Sequence, residues 1–143
     1  MRYLLPLIFV VWVIPTNAQT VLGKWKSIDD QTGQERSIVE LTEKDGKVNG
    51  RIIEIIYGPG DELDPICSDC EDDRKNQPML GMEIIRDMEL DGEEWEEGTI
   101  CDPETGKVYD CKIWLDSKNP DILNVRGYLY FIYRTQQWFR IKD

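Results

Sequence analysis

The feature that most constrains this chain is the spacing of its apolar residues. From Val21 onward they alternate, or run in short blocks rich in β-branched and aromatic types, with turn-forming residues between them. A helix needs apolar positions three and four apart, whereas alternation places one face of an extended strand into a core. Val21 to Ile28 reads as a first strand, followed by a turn at Gly33. Ser37 to Glu43 and Lys47 to Tyr57 flank Asp45-Gly46, a strong hairpin pair. Met82 to Leu90 fits a strand or a short helix, and Asp91-Gly92, leading into Glu94 to Ile100, favours the strand. Asp102-Pro103-Glu104-Thr105-Gly106 turns the chain into Val108 to Leu115. A turn over Ser117 to Asp121 leads to Ile122 to Phe131, and Thr135 to Ile141 closes the chain.

These segments make about eight strands joined mostly by short turns, so the expected class is all-β. Successive hairpins curl, and closing the sheet removes its exposed edges. The expected architecture is a single eight-stranded antiparallel up-and-down barrel, with a β-sandwich as the alternative. One stretch breaks the pattern. Gly58 to Pro78 carries Pro59, Pro65, Pro78, two cysteines and many acids. Loops of this length in a compact domain are often functional or lid-like.

Residues 1–18 read as a secretory signal. Arg2 precedes an apolar run from Leu4 to Ile14, and Pro15-Thr16-Asn17-Ala18 supplies small residues for cleavage after Ala18. The run is shorter than the roughly 20 residues of a spanning helix, and an uncleaved anchor is the alternative. Residues 19–143 are then a single domain, exported to the periplasm or secreted, with no membrane span after cleavage.

Charge and composition exclude several functions. The chain holds 17 basic and 28 acidic residues, a net charge of −11. A surface of that sign repels phosphate backbones, so nucleic acid is not an expected partner. There is no histidine, which removes the usual general base and the commonest metal ligand. Glu93, Glu94, Glu96 and Glu97 crowd one hairpin around Trp95, where alternation splits them between faces rather than converging them on a cleft. No catalytic residue is assigned, and a non-enzymatic protein without cofactor or metal is expected.

Several stretches occur in a familiar order. They are Gly23-Lys24-Trp25-Lys26-Ser27-Ile28-Asp29-Asp30, Ser37-Ile38-Val39-Glu40, Asp64-Pro65-Ile66-Cys67-Ser68-Asp69-Cys70 and Arg74-Lys75-Asn76-Gln77-Pro78. Gly81-Met82-Glu83-Ile84, Gly98-Thr99-Ile100, Asp102-Pro103-Glu104-Thr105-Gly106-Lys107, Val125-Arg126-Gly127-Tyr128 and Arg134-Thr135-Gln136 follow. In these the chain resembles the bacterial family DUF2147, exported proteins of unknown function. The resemblance implies a lipocalin-like barrel and an export signal, and it implies no catalytic residue. Cys101 departs from the family pattern, which more usually has an apolar residue there.

Gly23-x-Trp25 looks like the lipocalin signature, in which a tryptophan packs at the closed end under a basic residue of the last strand. Arg140 is the expected partner of Trp25, both in structural roles. Cys67-x-x-Cys70 is expected to form a local disulfide. A redox pair is disfavoured by the acids from Asp69 to Asp73, and a metal site with Cys101 and Cys111 lacks a second close pair. Those acids themselves lack calcium-loop spacing. Cys101 and Cys111 flank a turn on neighbouring strands, so a second disulfide is expected, with two free buried thiols as the alternative.

The candidate ligand contacts come from the aromatic last strands and from the long loop. Trp114, Tyr128 and Tyr130 are candidates for the barrel interior, where rings pack a small apolar or amphipathic ligand and hydroxyls orient it. Arg74 and Asn76 are candidates for anchoring an acidic group at the mouth, the alternative being that they pin the loop to the barrel. The expected function is binding of a small, partly apolar ligand. A filled barrel acting through its surface, as an envelope or interaction module, is the second reading.

Overall fold

The computed structural model describes residues 9, 10, 12 and 20–142. Most of the segment read as an export signal lies outside the described residues. The described chain forms β1 (Gly23–Ile28), β2 (Glu35–Lys44), β3 (Lys47–Ile55), β4 (Glu83–Asp91), β5 (Glu94–Cys101), β6 (Val108–Leu115), β7 (Ile122–Leu129) and β8 (Ile132–Arg140). Each strand pairs antiparallel with the next, and β8 pairs with β1, which closes an eight-stranded up-and-down barrel. Met82 to Leu90, ambiguous in sequence, is strand over Glu83–Asp91.

The β2–β3 turn shows its cause. Asp45 and Gly46 take φ values of 54° and 78°, the left-handed pair that a two-residue hairpin requires, and they hold β2 and β3 in register from Lys44 opposite Lys47. The last hairpin differs from the sequence reading. β7 ends at Leu129 and β8 starts at Ile132, so Tyr130 and Phe131 form the turn rather than strand. Tyr130 adopts a φ of 58° there, a conformation in which no side-chain preference announces a turn.

Along the barrel the interior divides into two halves. One end carries the β2–β3, β4–β5 and β6–β7 turns, and side chains fill it. Trp25, Val39, Leu41, Val48, Ile85, Met88, Ile113 and Leu123 are all buried to within 1% there. Two glycines let these side chains interdigitate. A Cβ on Gly50 would sit 2.6 Å from Leu41, and one on Gly98 would sit 2.5 Å from the Met88 sulfur. The opposite end carries the β1–β2, β5–β6 and β7–β8 turns and the long β3–β4 segment, and it is hollow.

Arg140 lies over Trp25 at the filled end, its guanidinium carbon 4.3 Å from the ring centroid. The Trp25 indole N–H donates to the Val21 carbonyl at 2.8 Å, so its one polar atom is satisfied in the core.

Candidate functional site

The hollow end is a cavity of about 740 Å³, open to solvent. Its walls follow from strand alternation. Trp25 points into the packed half, so Ser27, two residues on, faces the cavity, and Ser37 lies opposite it in register. The two hydroxyls are 2.8 Å apart, and the Ser37 N–H donates to the Ser27 oxygen at 3.1 Å. These small polar groups are therefore mutually satisfied. Ile52, Ile55, Ile84, Ile100 and Val125 supply apolar wall, and Trp138 also lines the cavity. The Trp138 indole donates to the Gln136 side-chain oxygen at 2.9 Å, so Gln136 presents a partnered amide.

The rim is charged. Arg36 pairs with Glu104, and Arg134 pairs with Asp30. The Arg134 guanidinium beside Asp30 holds that carboxyl below its usual range, so both partners are ionised at neutral pH. Asp29 also lines the mouth. Its carboxylate accepts the backbone N–H groups of Gln31 and Thr32, both at 2.9 Å, which depress its pKa chiefly through Thr32.

The β3–β4 segment reaches the mouth through Tyr57, Asp61, Glu62, Pro65 and Met79. Its clamp is the Cys67–Cys70 disulfide, buried in the structure as the sequence led one to expect. The Cys67 N–H donates to the Gln77 carbonyl at 2.9 Å, and the Asn76 N–H donates to the Cys67 carbonyl at 2.7 Å.

The expected ligand contacts lie elsewhere. On β6, Cys111 and Ile113 face inward, so Trp114 faces outward, and Tyr128 on β7 does likewise beside inward Gly127. Both meet Arg126 on the outer wall, whose guanidinium carbon lies 4.9 Å from the Trp114 ring and 6.0 Å from the Tyr128 ring. Tyr130 is 91% exposed at the hairpin tip. None of the three lines the cavity, which corrects the expectation that they do. Alternation fits either face equally, and only the register with the neighbouring strands decides.

Arg74 and Asn76 are likewise not among the cavity's lining residues. Arg74 is 4% exposed, donates from its Nε to the Asp72 carboxylate at 3.1 Å and from a terminal nitrogen to the Glu83 carbonyl at 3.0 Å. It thus ties the loop to β4. Asn76 takes a φ of 59°, a left-handed position that asparagine tolerates, and serves the turn.

The second disulfide is corrected too. Cys101 pairs in register with Val108 and Cys111 with Gly98, so the two cysteines are not opposite one another, and both are free and buried. Burial pushes both thiols up, Cys111 to about 12. Sequence reasoning missed Ser27, Ser37, Arg36, Tyr109, Arg134 and Gln136 in the lining. For Ser27 the distance of two residues from Trp25 was the available clue.

An eight-stranded up-and-down barrel, closed at one end by an arginine-capped tryptophan and hollow at the other, defines a lipocalin-like protein. The solved structure of HP1028 from Helicobacter pylori, described as belonging to the lipocalin family, superposes with a TM-score of 0.72. The two share 17% identity over 88% of this chain and 86% of that one, a likeness of fold. Among curated proteins none matches. The profile of DUF2147, described as an uncharacterized protein conserved in bacteria, matches residues 23–140, and the chain belongs to that family.

Proposed function

We propose that this is an exported, non-catalytic protein that holds a small, partly apolar ligand in the open half of its barrel. The observation that carries the reading is the cavity of about 740 Å³ with isoleucine and valine walls and a polar rim. Ligand pockets of roughly 300–1,000 Å³ commonly combine apolar walls with a few placed polar groups. The lipocalin description of the H. pylori neighbour is consistent with it at the level of fold. Export rests on the composition of residues 1–18. The non-catalytic part rests on the sequence, which holds no histidine to act as a general base, and on the lining's one thiol, Cys101, which burial keeps protonated.

A barrel acting through its surface is favoured by a different observation, the exposed aromatic tip at Tyr130 and Phe131. One variant separates the two. Gly127 lines the cavity, and a Cβ there meets the Tyr109 side chain at an ordinary 3.4 Å, so Gly127→Leu projects a side chain into the cavity and narrows it. Titration of the chain with the neutral fluorophore N-phenyl-1-naphthylamine gives saturable enhancement, and G127L weakens it while the tip stays unchanged. Equal enhancement by both proteins would sink the cavity reading.

A further inference from the structure

The charges of the rim carry a statement about the ligand's polar end. Five carboxylates line the cavity mouth, those of Asp29, Asp61, Glu62, Asp102 and Glu104, against two guanidinium groups and no lysine. Both guanidiniums are engaged: Arg36 by Glu104 and Arg134 by Asp30. An incoming carboxylate would have to displace one of those partners to be paired. Among the described residues, by contrast, no cation lies within ion-pair distance of Asp61, Glu62 or Asp102, and Asp29 feels the Arg134 guanidinium only at longer range.

Three of these four carboxylates are also fixed in place. Asp29 accepts two backbone N–H groups, Asp61 accepts the Gly58 N–H at 2.7 Å, and Asp102 accepts the Glu104 N–H at 3.0 Å. Such bonds orient a carboxylate and leave its remaining lone pairs free. A concave mouth lined by charges of one sign concentrates their field. Tyr57 and Tyr109 add aromatic rings to the same lining, surroundings that suit a partly desolvated cation.

We infer that the cavity takes amphiphiles whose apolar body enters the barrel and whose polar end is a cation, an amine or quaternary ammonium held at the mouth, and that it discriminates against carboxylate amphiphiles such as fatty acids. The inference rests on the binding reading above and narrows it to a ligand class.

Three ligands of one chain length test it: decyltrimethylammonium, decanol and decanoate, each competed against the neutral fluorophore at neutral pH and low salt. The cation binds about ten-fold or more tighter than decanoate, and the gap narrows in about 0.5 M salt as the rim is screened. The double variant Asp61→Asn, Glu62→Gln narrows it as well. Decanoate binding as tightly as the cation would overturn the inference while leaving the cavity reading intact, as would failure of all three to displace a bound fluorophore. Failure of the fluorophore itself to bind overturns the cavity reading, and this inference with it.

Discussion

Arg140 and Trp25 stack at the filled end of the barrel, with the guanidinium carbon 4.3 Å from the ring centroid. The cation is held from several sides. Its terminal nitrogens donate to the carbonyls of Leu22 at 3.1 Å, Thr20 at 2.8 Å and Pro120 at 3.2 Å. Its Nε lies 3.2 Å from an Asp121 oxygen, an ionic contact whose angle falls short of a hydrogen bond. One side chain therefore ties the start of β1, the β6–β7 turn and the end of β8. Arg140→Met keeps the apolar stem and removes all of these contacts. It costs about 2–3 kcal/mol in urea unfolding, while fluorophore binding at the opposite end of the folded protein is unchanged. Arg140→Lys keeps the cation over the ring and recovers only part of that stability, because a single ammonium cannot reach three carbonyls in the geometry of the guanidinium fork.

The cysteines give a prediction that intact mass reads directly. Cys101 lies with its sulfur 3.8 Å from that of Cys70, against the disulfide but outside it. A thiolate there would attack the bridge, and burial prevents one from forming. In the native protein at neutral pH neither Cys101 nor Cys111 reacts with a maleimide over minutes. In denaturant both are labelled, and the Cys67–Cys70 bridge stays intact. Rapid native labelling of Cys101 would show that the mouth opens far enough to expose it.

Two glycines at turns separate strain from collision. Gly92 takes a φ of 65° with open space around it, so Gly92→Ala meets backbone strain alone, about 1 kcal/mol. Gly106 takes a φ of 75°, and a Cβ there would lie 2.1 Å from the Asp69 carbonyl oxygen and 2.6 Å from the Cys70 nitrogen. The β5–β6 turn thus packs directly on the disulfide loop. Gly106→Ala costs about 2–3 kcal/mol in thermal or urea unfolding. Equal losses for the two variants would mean that the turn and the loop do not press together.

The barrel was legible because its turns announce themselves and its strands alternate. Asp45-Gly46 carries the left-handed residues that its hairpin needs, and Trp25, Val39 and Leu41 mark the inward face from which the packed half can be traced. The contact of Trp25 with Arg140 was legible through the likeness of Gly23-x-Trp25 to the lipocalin signature, which sets a basic residue of the last strand over the ring. The cavity wall was not. Trp114 and Tyr128 satisfy alternation on either face, and register shifts near Ile38 and Trp95 break the count from one strand to the next. Tyr130 misled because the turn it makes contains no glycine, proline or asparagine. Arg74 fitted either a ligand anchor or a pin for its own acidic loop, and only the three-dimensional path of that loop, which buries it against Asp72, decides for the pin.

That burial sets the last prediction, which concerns acid. The guanidinium of Arg74, chiefly by its side-chain hydrogen bonds, holds the Asp72 carboxyl down to about 2 from an ordinary 3.8. A carboxyl depressed in the folded state contributes stability that is fully present above the unfolded value and is lost as pH falls through the folded one. The contribution is therefore complete above about pH 5 and fades between about pH 4 and pH 2. Asp72 is 39% exposed, and solvent screening limits the effect to about 1 kcal/mol. Asp72→Asn lowers stability by about that amount at pH 7, and the gap to the unsubstituted protein closes as the pH approaches 2. Urea unfolding at a series of pH values measures the two curves. A gap that stayed constant with pH would mean that the carboxylate acts through its shape rather than its charge.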